Sequence, residues 1–103
     1  MVIHNATFMV LPDKEGELIL WLKGEIASMS LADDRAPRVS AMREAGGISH
    51  RQAEAASVAF QVEFDDIDRA RAWGKEEFAA LADAFSARFG TDSMVFTSIF
   101  EIV

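Results

Sequence analysis

Asn5 and Thr7 stand two residues apart, as do Gln61 and Glu63, and Thr97 lies in a similar apolar run near the other end of the chain. On an extended chain, side chains two residues apart share a face. Two amides, two hydroxyls and a carboxylate gathered on one sheet surface would hold the polar part of a small molecule by hydrogen bonds. In a reaction there, Glu63 or His4 would move a proton while Asn5 and Gln61 steadied an oxyanion. The same groups would also serve purely as hydrogen-bonding partners in a subunit contact. The residues leave three readings open: a ligand-binding protein, an enzyme, and a structural module. None of them names a catalytic residue.

Other chemistries find little support. His4 falls on the more apolar side of its strand, where a packed histidine is the expectation, and His50 with Arg51 reads as a solvated pair in a turn. Two histidines in different elements, without HxH or HxxxH spacing, do not form a metal site. Cysteine is absent, which excludes thiolate ligands and nucleophiles and suits a reducing cytoplasm. The chain has no GxGxxG, P-loop or GxSxG signature, so neither a nucleotide nor another cofactor is expected. A net charge of −7 weighs against nucleic acid. No apolar run approaches the ~20 residues that cross a bilayer, and no signal segment is evident.

The elements that must position the polar set follow from periodicity. In residues 57–64, Val58, Phe60, Val62 and Phe64 alternate with Ser57, Ala59, Gln61 and Glu63, which predicts a strand with one core face. Residues 2–11 alternate likewise, with His4, Ala6 and Phe8 on one side and Ile3, Asn5, Thr7 and Met9 on the other. A weak edge strand is expected over 38–45, behind Pro37. Gly46-Gly47 and the residues to Arg51 would then turn the chain. A last strand over 94–103 is expected to place Met94, Phe96 and Phe100 under the helices and Val95, Thr97, Ile99 and Glu101 opposite.

Two helices separate these strands. Leu18, Trp21, Leu22, Ile26 and Met29 form the stripe of the first, with Asp13 as its N-cap and a kink expected near Gly24 and Glu25. Ile67, Ala70, Gly74, Phe78, Leu81, Phe85 and Phe89 mark a single long second helix, capped by Asp65 or Asp66 and ended by Gly90. Trp73 lies off that stripe, which points it to a subunit contact.

The order strand, helix, strand, strand, helix, strand over residues 1–103 predicts one α+β domain, the ferredoxin-like βαββαβ fold. Right-handed crossovers put both helices on one face of a four-stranded antiparallel sheet. The other face would keep apolar residues beside Asn5, Thr7, Gln61, Glu63 and Thr97, and monomers rarely expose such patches. A homodimer meeting through that open face is expected, with a cleft for a small, partly apolar molecule.

Ile3-His4-Asn5-Ala6-Thr7, Trp21-Leu22-Lys23, Phe60-Gln61-Val62, and Phe89-Gly90 followed by Val95-Phe96-Thr97 and Glu101 carry a resemblance over nearly the whole chain. They resemble an uncharacterised family of short bacterial proteins that open with an Ile-Tyr-Asn-Val-Thr-like strand. The resemblance implies a ferredoxin-like fold and kinship with the dimeric α+β barrels, and the family itself implies no activity; related barrels are sometimes cofactor-independent oxygenases or isomerases, which is the form the enzyme reading takes. This chain departs from it at Gly24-Glu25-Ile26-Ala27, which lacks the family's histidine, and at Thr97, where an arginine is usual.

Overall fold

The computed structural model describes residues 1–29, 37–42 and 55–103. Its strands are β1 (Val2–Val10), β2 (Arg38–Met42), β3 (Ala56–Phe64) and β4 (Met94–Glu101). The helices are α1 (Glu15–Ser28), α2 (Ile67–Lys75) and α3 (Glu77–Phe89). The sheet has the order β2-β3-β1-β4 and every pairing is antiparallel. This is the ferredoxin-like arrangement, with the second helical segment divided in two. Among the described residues no helix is long and apolar enough to cross a membrane. The expected turn at 46–51, with His50 and Arg51, lies outside the described residues, as does the end of the expected strand at 43–45.

β1 is the strand on which the sheet is built. Its residues alternate between buried and half-buried from Val2 to Val10, the signature of a central strand with one covered face. Opposed residues of an antiparallel pair project to the same face. Val62 opposes His4, Phe60 opposes Ala6 and Val58 opposes Phe8, so the apolar faces of β1 and β3 form one floor. Leu18 and Leu22 of α1 and Phe85 of α3 close over it, all fully buried together with Phe8, Phe60, Val58 and Val62. Phe8 and Phe85 meet edge to face with ring centroids 4.8 Å apart, a favoured aromatic geometry.

Three expectations about the helices change. α1 runs unbroken through Gly24, and a 3-10 turn over Pro12–Lys14 takes the place of an Asp13 cap. Proline at the start of that turn already fixes a helical φ. The long second helix is broken at Glu76, whose φ of −109° and ψ of −81° separate α2 from α3. Asp66 caps α2, accepting the Arg69 N–H at 2.9 Å, and Gly90 ends α3 with a φ of +78°.

The break also relocates Trp73. A stripe carried through one continuous helix leaves it to the side, but α2 sets its own rotation. Ala70 and Trp73, about 60° apart on a helix, are its two buried residues. Trp73 is 4 % exposed and packs against His4, Phe60, Phe64 and Phe78. It belongs to the core of this chain, not to a surface.

β4 is corrected as well. Val95 opposes Phe8 and Ile99 opposes His4, so Val95, Thr97 and Ile99 lie on the helix side and Met94, Phe96, Ser98 and Phe100 on the open side. Both sides of this strand carry apolar residues, so its alternation does not say which is buried; the register with β1 does. Phe96 and Phe100 remain 53 % exposed.

Replacing Trp73 by alanine should destabilise the folded chain by about 3–5 kcal/mol, as for other buried large aromatics. Urea unfolding checks this, and a variant as stable as the parent would contradict the core assignment of Trp73.

Candidate functional site

Four strands in register turn the open face into ordered rows. One row runs Arg38, Gln61, Asn5, Ser98 across β2, β3, β1 and β4. The next on one side is Ser40, Ala59, Thr7, Phe96, and on the other Glu63, Ile3, Phe100. Asn5, Thr7, Gln61 and Glu63 thus stand on the two central strands, and the exposed large apolar residues Met94, Phe96 and Phe100 lie along β4.

Side chains in the middle are already joined. Gln61 Nε2 donates to Asn5 Oδ1 at 3.1 Å, and Asn5 Nδ2 donates to Thr7 Oγ1 at 3.3 Å. Asn5 and Gln61 are directly opposed, which is why two short amides span the gap between strands. These two bonds use one N–H of each amide; a primary amide carries two. All three side chains are half-buried, so the network is reachable.

Asn5, Thr7, Gln61 and Glu63 therefore share a face, as their spacing predicts. Thr97 does not join them. It opposes Ala6, which places it on the helix side. His4 and Glu63 are likewise on opposite faces, so no single site on this chain holds both proton carriers. Arg38 and Ser98 belong to the central row although sequence reasoning passed over them. Arg38 sits in the strand with the poorest alternation, and Ser98 in the one whose faces are ambiguous. Only the strand register could have found either.

His4 occupies a different setting, beneath α2. It is 4 % exposed, with Trp73 4.9 Å away edge to face and Phe78 at 5.1 Å between ring centroids. Gly74 lies directly above. A Cβ built there would stand 3.0 Å from His4 Nε2, so the absent side chain is what lets the imidazole fit. Nδ1 has no hydrogen-bond partner among the described residues, and neither does Trp73 Nε1. Burial of the ring pushes its pKa below the ordinary 6.5. The charged side chains bordering the same space, Arg71 and Lys75 of α2, offer an imidazolium no compensating carboxylate.

The family model described as Domain of unknown function (DUF4286) matches residues 1–103. The chain belongs to that family, in agreement with the resemblance read from its motifs. No curated protein matches the chain.

A depressed histidine pKa has a direct consequence for stability. Between the folded and unfolded pKa values the unfolded chain binds more protons, so stability falls as pH falls. The His4 contribution should be intact above about pH 6.5 and shrink as pH drops through the lower, folded value. Urea titrations across this range should show a pH-dependent stability difference between the parent and His4→Gln. A constant difference would contradict a neutral, buried His4.

Proposed function

We propose that this DUF4286 family member works as a homodimer, in which the open faces of two sheets meet and enclose a cleft for a small, partly apolar molecule. The observation that carries the reading is the pairing of opposites on that face. Met94, Phe96 and Phe100 are each more than half exposed along one edge, beside an amide network that is internally hydrogen-bonded.

Each part of this pattern has a physical reading. Fully burying one phenylalanine contributes roughly 1.5–3 kcal/mol, and a dyad would bury the β4 aromatics of both subunits at once. Polar groups in a contact cost free energy when left unpaired, and Asn5, Gln61 and Thr7 already satisfy part of their need. Their spare amide N–H groups, with Glu63 and Arg38 at the margins, would fix the polar end of the ligand, and the apolar residues of β4 would wall its body. Such a dimer would fit the kinship with the dimeric α+β barrels that the motif resemblance implies. The absence of cysteine suits a cytoplasmic setting.

Sedimentation velocity at micromolar concentration should give a dimer, and Phe96→Glu with Phe100→Glu should give a folded monomer, since both positions are exposed in the single chain. A parent protein that sediments as a monomer would overturn the proposal.

A further inference from the structure

We propose that the groove between β4 and the α2–α3 pair is a second ligand site, one that takes a small carboxylate with an apolar body. It lies on the helix side of the sheet, opposite the proposed dimer face, so it stands or falls independently of that reading.

The groove arises from the topology. α1 packs over β3 and β2, and α2 packs over β1 and β3, which leaves the helix side of the edge strand β4 only partly roofed. Val95 and Ile99 are half-buried there and Thr97 is exposed. The resulting space measures about 650 Å³, within the roughly 300–1,000 Å³ typical of small-molecule pockets. Phe78, Ala82, Ile67, Val95 and Ile99 supply its apolar walls.

Charge points to the occupant. The chain carries a net charge of −7 with ten lysines and arginines in all. Two of those cations, Arg71 and Lys75, line this groove, and no acidic residue does among the described lining residues. They are four residues apart on α2, so they project from neighbouring turns of one helix face. An arginine fork and a lysine ammonium together suit a carboxylate. The α2 N-terminus at Ile67 borders the groove, but the Asp66 carboxylate already caps it and would repel a doubly charged phosphate, so a singly charged group fits better.

Two polar residues belong to the groove wall. Thr97 contributes a hydroxyl, and His4 lines the wall with Nδ1 unpartnered while the residue is 4 % exposed. A buried polar atom without a partner costs free energy; because Nδ1 is itself buried, a ligand or the water it brings would relieve that cost through a small shift of the imidazole toward the groove. Gly74 matters again here, because a side chain at that position would press on His4 and alter the wall.

The test uses 2-naphthoate as probe and the neutral 2-naphthamide as its control, titrated against the full chain with backbone amide shifts followed by NMR. Naphthoate should shift the amides of Gly74, Thr97 and Ile99 and bind more tightly than naphthamide. Arg71→Gln and Lys75→Gln should each weaken naphthoate about three- to tenfold, the range for one partly exposed charged contact. Naphthamide binding should be unchanged by either. Lys23→Gln, on α1 away from the groove, should leave naphthoate affinity as it was. Any of four results would overturn the proposal: no binding, equal affinity for the two probes, equal weakening by Lys23→Gln, or shifts centred on Asn5 and Gln61. The last would move the ligand to the dimer face.

Discussion

Everything in this molecule depends on the double registration of β1. Pairing with β3 on one side and β4 on the other sorts the residues of three strands into two faces at once. A slip of one residue would exchange those faces, sending Asn5 and Thr7 into the core and Phe8 and Ala6 outward. Phe8, Ala6 and Val10 are almost wholly buried, so such a slip would forfeit several kcal/mol of apolar burial. The core therefore enforces the geometry of the polar row. Asn5 faces Gln61 because Ala6 must face Phe60.

That dependence explains what could be read from the sequence. β1 and β3 were legible because each has one clearly apolar side, and the polar quartet Asn5, Thr7, Gln61 and Glu63 followed from them. β4 was not, since Val95 and Ile99 compete with Phe96 and Phe100 on hydrophobicity, and size pointed to the wrong pair. An edge strand beyond full helix cover can leave its larger residues outside. Trp73 was misread for a different reason. Periodicity assumes a single rotational phase, and the unusual backbone at Glu76 gives α2 a phase of its own. Family membership was visible in short motifs, which specify the fold without naming a reaction.

The two faces now carry different physics. On the open side, hydrogen bonds run among half-buried side chains within reach of solvent, and among the described residues Met94, Phe96 and Phe100 stay more than half exposed. On the helix side, aromatic rings enclose a histidine so closely that its uncharged form is favoured. His4 and Asn5 are adjacent in sequence yet sit in these opposite environments. Alternation along one strand is enough to separate them.

The interruption at Glu76 has a kinetic meaning too. α2 spans nine residues, short of the ~12–15 at which an isolated helix becomes even marginally stable in water. Its persistence rests on Ala70 and Trp73 inserted into the core, not on its own backbone ladder. Because the ladder is broken before α3, α2 has the makings of a separate cooperative unit, able to lift while α3 and the sheet stay folded. In hydrogen exchange such a unit would open at a lower free energy than the strands beneath it, and each opening would briefly bring water to His4.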